Sequence, residues 1–145
     1  MKYLSRITLS IFTVILCAFL SSCGDNLSKK QIISLVVENE AFLTECVNNG
    51  GADQALELYG VQSVDTARDG AYIVFDCGGS GFGSSTNYCG FYYSPDDIPQ
   101  LAGHMTSEDS LTTDGSGYGY RQPDGDNRYY TERIVNNWFY FEAHY

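Results

Sequence analysis

Polar and apolar positions change period along the chain, and each period predicts an element. Ile32, Leu35, Val36, Phe42, Leu43, Cys46 and Val47 recur at helical spacing, so one amphipathic helix is expected. Ser28 serves as its N-cap, and Asn48-Asn49-Gly50-Gly51 ends it. A short helical turn is expected between Asp53 and Tyr59, then a strand over 61–64. The stretch 71–77 (AYIVFDC) is rich in β-branched and aromatic residues and follows the turn Arg68-Asp69-Gly70, so it reads as a strand. Residues 78–85 read as a flexible glycine-rich loop, and 86–93 (TNYCGFYY) as the returning strand of a hairpin.

Ser94-Pro95-Asp96-Asp97 has the capping pattern of a single helical turn, stopped by Pro99. Residues 101–117 are polar and contain glycine, which predicts a long surface loop. A strand over 118–122 closes in the turn Pro123-Asp124-Gly125. The densest pattern lies at the end: strands over 128–135 and 138–145 around an Asn136-Asn137 hairpin turn, with a helix over 134–141 as the competing assignment. A simple hairpin register pairs Val135 with Trp138, Ile134 with Phe139, Glu132 with Phe141 and Tyr130 with Ala143. The expected fold is α+β: one N-terminal helix packed on an antiparallel, mostly meander sheet of about five strands, covering one of its faces.

Composition bounds what such a domain can do. All 18 acidic residues follow Cys23 while Lys2 and Arg6 precede it, so the segment after residue 22 carries a formal charge of −12. That field repels phosphate backbones, and the remaining cations are scattered, so no nucleic-acid partner is expected. Apolar residues make up 43%, enough for a core, and the 123 residues after position 22 fit one domain.

The first 22 residues have a separate logic. Lys2 and Arg6 form a cationic start, and 7–20 (ITLSIFTVILCAFL) is an apolar run too short to span a bilayer comfortably. Leu20-Ser21-Ser22-Cys23 follows directly and resembles the lipobox of bacterial lipoproteins, the class processed by signal peptidase II. The resemblance covers the leader alone. It implies that 1–22 is a signal peptide, that the Cys23 thiol carries diacylglycerol, and that the domain lies outside the cytoplasm on a lipid anchor. Two or more acyl chains hold a protein stably where one does not. Residues 23–28 then form a short tether, and 29–145 a single globular domain.

Candidate chemistry is sparse. Cys46 sits on the helix stripe as a small buried hydrophobe, whereas Cys77 and Cys89 close a hairpin and are candidates for a disulfide in an oxidising compartment. Nothing in the pattern brings His104 or His144 to a thiol as base, with His144 expected opposite Tyr129. The glycines of 78–83 match neither a nucleophile elbow, since Phe82 stands where Gly is required, nor a phosphate loop, since Ser84-Ser85 replace Lys. Asp124, Asp126 and Asn127 start like a calcium loop, but Arg128 and Tyr129 break it. Glu132 and Glu142, on opposite faces in the simple register, do not make a glycosidase pair. No catalytic residue, metal or cofactor is therefore assigned.

Aromatic residues carry the strongest signal: 18 of 21 lie after the leader, more than one helix-covered face accommodates. Tyr88, Tyr92, Tyr129, Trp138 and Tyr140 are accordingly expected to form an aromatic binding surface for an envelope protein or glycan. A non-catalytic binding module is the leading function; a cell-envelope hydrolase and a structural or inhibitor-like lipoprotein are the alternatives.

Overall fold

The computed structural model describes residues 26–67, 70–82, 85–102 and 111–145. Helix α1 (Lys29–Asn48) starts where the capping residues place it: the Ser28 N–H donates to Gln31 Oε1 (2.9 Å), and the Ile32 N–H returns to the Ser28 carbonyl (3.0 Å). Ile32, Val36, Leu43 and Cys46 are buried along one stripe. The helix kinks at Asn39, whose side-chain amide donates to the Leu35 carbonyl (2.8 Å). A 3-10 turn (Ala52–Glu57) follows and buries Ala55. Among the described residues no helix is long and apolar enough to cross a membrane.

The remainder is one seven-stranded sheet, and this corrects the expectation of about five strands. The strands are β1 (Ser63–Thr66), β2 (Ile73–Phe82), β3 (Ser85–Tyr93), β4 (Thr112–Asp114), β5 (Gly117–Arg121), β6 (Arg128–Val135) and β7 (Trp138–His144). Every neighbouring pair is antiparallel. Their order, β1-β2-β3-β7-β6-β5-β4, joins two meanders. After β3 the chain crosses to the far edge and returns strand by strand, so β7 pairs with β3 in the middle of the sheet.

Two differences from the sequence pattern have simple causes. The stretch expected as a polar loop contains β4, three exposed residues held by pairing with β5 and not by apolar burial. The loop expected over 78–85 is instead mostly strand: pairing continues to Phe82 opposite Ser85. Alternation of apolar residues detects neither, because neither buries a face.

Both faces of the sheet are covered by apolar packing. Phe75, Cys77, Phe91, Trp138 and Tyr140 pack with Ile32, Val36 and Leu43 of α1. Phe75 stacks on Phe91 with centroids 4.8 Å apart, and Trp138 Nε1 donates to Thr44 Oγ1 of the helix (3.2 Å). On the opposite face Tyr92, Tyr129, Phe139, Phe141 and Ala143 form a second core with Ala102, flanked by Leu101 and Leu111. A strap of chain at 100–102 takes the place of a second helix there. Tyr129 OH donates to the Gln100 carbonyl (2.9 Å) and accepts from the Ala102 N–H (3.1 Å), and Tyr92 OH accepts from the Gln100 N–H (2.9 Å).

Candidate functional site

Helix α1 covers only part of its face of the sheet. Register defines what lies bare beyond it. Cys89 pairs with Glu142, Glu142 with Tyr130, Tyr130 with Gly119, and Gly119 with Thr112, forming one row of side chains across five strands. The next row toward the β2–β3 tip runs Asn87, His144, Arg128, Arg121. Together with Asn26, Ser80 and Asp114 these rows line a cleft of about 730 Å³.

Lys29, the first residue of α1, lies over the rings of Tyr130 and Tyr140, two residues that line the cleft. Its Nζ lies 3.0 Å from Glu132 Oε1, 4.7 Å from the Tyr130 ring centroid and 5.3 Å from that of Tyr140. Glu132 Oε2 also accepts from Tyr130 OH (2.5 Å) and Ser116 Oγ (3.0 Å). Burial opposes ionisation of Glu132, but the bonds from Tyr130, Lys29 and Ser116 outweigh it and hold the carboxyl below its ordinary range. Burial likewise opposes the charge on Lys29, and the Glu132 carboxylate more than restores it, raising the ammonium's pKa.

Farther into the cleft, Tyr140 OH donates to Glu142 Oε2 (2.9 Å), and His144 Nδ1 and Asn87 Oδ1 are 2.8 Å apart. Burial first, then the Glu142 hydrogen bond and charge, keep the Tyr140 phenol protonated far above its usual range. Gly119 matters for shape: a Cβ there would sit 2.9 Å from Asp114 Oδ2, so any larger residue would crowd the floor beside Tyr130. Alternating glycines in a strand pattern, here Gly117 and Gly119, were the one sequence signal pointing to this opening. The cleft otherwise draws on Asn87, Asp114, Arg121, Arg128 and Tyr130, which sequence reasoning did not single out.

The expected aromatic surface is dispersed. Trp138 and Tyr140 lie in the core under α1, while Tyr92 and Tyr129 lie in the core on the opposite face. All four are buried. Tyr88 is 38% exposed and packs edge-on against Tyr145, with centroids 5.9 Å apart. Tyr88, Tyr129 and Tyr140 each contribute to the lining of the cleft, and Tyr140 is tied through its hydroxyl to Glu142.

Register accounts for another correction. Val135 pairs with Trp138 as the turn requires, but an irregularity between Arg133 and Val135 shifts everything before it by one position. Glu132 therefore pairs with Tyr140 and Tyr130 with Glu142, which places Glu132 and Glu142 on the same face. His144 pairs with Arg128, leaving Ala143 opposite Tyr129.

Cys77 and Cys89 are both free thiols brought together by a bulge: Asp76 pairs with Gly90 and Gly79 with Tyr88, leaving Cys77 and Gly78 opposite Cys89. Gly78 has φ 109°, a conformation this bulge requires and other residues resist. Burial pushes the Cys77 thiol up to about 12, with Cys89 and Asp76 adding to the shift. Burial also raises Cys89, whose Sγ lies 3.5 Å from the Gly78 carbonyl. Neither is an activated thiolate. Asp124 and Asp126 are exposed in the β5–β6 connection. Cys23 and His104 lie outside the described residues.

Comparison with family models, with curated proteins and with solved structures returned no match.

Proposed function

We propose that this chain is a lipid-anchored extracytoplasmic envelope protein, held by acyl chains on Cys23, and that its cleft binds a glycan without transforming it. The leader supplies support for the anchor. The observation that carries the binding reading is the bare sheet floor of about 730 Å³, lined by hydroxyl, amide and charged groups of both signs. Arg121 and Arg128 balance Asp114 and Glu142, so the floor is close to neutral inside a strongly acidic molecule. A polyol with many donors and acceptors and no strong charge suits such a lining better than an ionic ligand does.

The hydrolase alternative regains one condition, since Glu132 and Glu142 share a face. It lacks the other: Glu132 is engaged by three donors and is shifted toward ionisation, the wrong direction for a general acid. Binding without turnover is the simpler chemistry for these groups.

The test uses purified peptidoglycan and soluble oligosaccharides cut from it. Co-sedimentation and calorimetry should show binding by the wild-type protein and no release of new reducing ends. Arg121→Ala and Glu142→Gln should each weaken binding about tenfold, the loss of one charge-assisted hydrogen bond. Tyr118→Ala, an exposed site on the opposite face, should leave it unchanged. Equal affinity of the cleft variants and the wild type, or steady glycan cleavage, would overturn the reading.

A further inference from the structure

The two most exposed large hydrophobic side chains among the described residues are Phe82 (97%) and Tyr59 (78%). Neither is buried against the described residues. Phe82 ends β2 at the hairpin tip, paired with Ser85. Tyr59 precedes Gly60, whose missing side chain makes room for Leu27: a Cβ there would lie 2.3 Å from Leu27 Cδ1.

The amino-terminal segment enters the fold beside both. Leu27 is buried, and Asn26 Nδ2 donates to the Gly79 carbonyl (2.8 Å), three residues before Phe82 on the same strand. From Asn26 back to Cys23 is also three residues, at most about 10 Å of chain. Gly79 to Phe82 spans about 10 Å of extended strand. A bilayer holding acyl chains on Cys23 is therefore confined to a distance that Phe82 can reach.

Charge selects the same end. No Asp, Glu, Lys, Arg or His occurs in 77–95 or in 58–64, although the segment after residue 22 carries a charge of −12. An anionic membrane surface repels most of this molecule but not these two stretches.

We propose that Phe82, at the β2–β3 tip, and Tyr59 insert into the interface of the bilayer that carries the Cys23 anchor, fixing the orientation of the domain on the membrane. The contact rests on the lipid-anchored reading above. A single aromatic pair is too small an apolar area to recruit a protein from solution, but the tether makes its insertion intramolecular, so a weak contact suffices. The cleft, which shares Asn26 and Ser80 with this end, is thereby held at a fixed angle to the bilayer.

The experiment uses the full chain purified from membranes, checked by intact mass for acylation, and reconstituted into phosphatidylethanolamine and phosphatidylglycerol vesicles. Phe82→Trp, with Tyr59→Trp as an independent reporter, adds one indole to the single Trp138 buried under α1. The added indole should shift its emission to the blue on reconstitution and lose intensity when the vesicles contain lipids with a shallow nitroxide quencher. Trp138 in the parent should do neither. Acylated protein with unshifted, unquenched emission from both reporters overturns the inference while leaving the anchor standing. A blue shift without lipid quenching also overturns it, indicating contact with a second copy. An intact mass without acyl chains overturns the anchored reading and this inference together.

Discussion

Tyr92 and Tyr129 hold the strap at 100–102 to the far face of the sheet through hydroxyls that never ionise under ordinary conditions. Burial, the largest influence on each, pushes the Tyr92 phenol up to about 12 and that of Tyr129 well above its usual value. Both therefore remain donors as well as acceptors. Tyr129→Phe keeps the ring in the second core but strips a partner from the Gln100 carbonyl and the Ala102 N–H. Urea unfolding should show a loss of about 1–3 kcal/mol, because the partners left behind stay desolvated. Ser94 provides the contrast. Its backbone bonds to Asn137, but its buried Oγ has no partner among the described residues. Ser94→Ala should accordingly be neutral or slightly stabilising in the same assay. Equal losses at the two sites would contradict this account. Sequence shows that aromatic residues are too many for one face; it does not show which backbone groups their hydroxyls satisfy. That is why Tyr92 and Tyr129 read as surface in the pattern and are core in the fold.

The β2–β3 hairpin shows what elements add. Its bulge sets Cys77 and Cys89 on adjacent strands with their side chains in the same core cluster. We propose that export to an oxidising compartment joins them: the two thiols lose two protons and pass two electrons to a thiol–disulfide oxidant. Raised pKa values keep the thiolate scarce, so closure should need a catalyst or time. Protein recovered from an oxidising compartment and denatured without reductant should alkylate at Cys46 alone, and reduction should cost about 3 kcal/mol of stability for a loop of this length. Three reactive thiols in that sample would refute the bond. The helix, the capping residues and most strands were legible because their apolar residues keep one period. Strand β4 was not, being polar and fixed only by its partner. The irregularity between Arg133 and Val135 was not legible either, since a bulge changes register without changing composition, and one residue moved Glu132 to the other face.

At the scale of the whole molecule, the order of the sheet makes the chain's end its centre: β7 joins the two meanders by pairing with β3 on one side and β6 on the other. Both ends of the described chain meet near the hairpin tip. Tyr145 exchanges backbone hydrogen bonds with Thr86 (2.9 Å each), and Asn26 bonds Gly79 on the neighbouring strand. A Gly/Ser linker of about eight residues, roughly 15 Å in root-mean-square length, can join them. Circular permutation then asks where the fold tolerates a break. The β5–β6 connection at 123–126 is exposed and is crossed by one backbone bond, from the Gln122 N–H to the Asn127 carbonyl (3.0 Å). New ends there should fold cooperatively with a loss of about 1 kcal/mol. The Asn136-Asn137 turn is shorter, two residues against six, and differs in its connections. Asn137 has φ 67°, its N–H donates to Asp97 Oδ1 (2.7 Å), and its side-chain amide donates to the Ser94 and Pro95 carbonyls (2.9 and 3.0 Å). Arg133 also binds Asp97, tying this turn to the chain that leaves β3. Opening it releases the left-handed residue on which those bonds depend, so this permutant should lose several times more stability than the first. Equal unfolding midpoints would mean that the turn is an ordinary connection and that β7 is held in the centre by strand pairing alone.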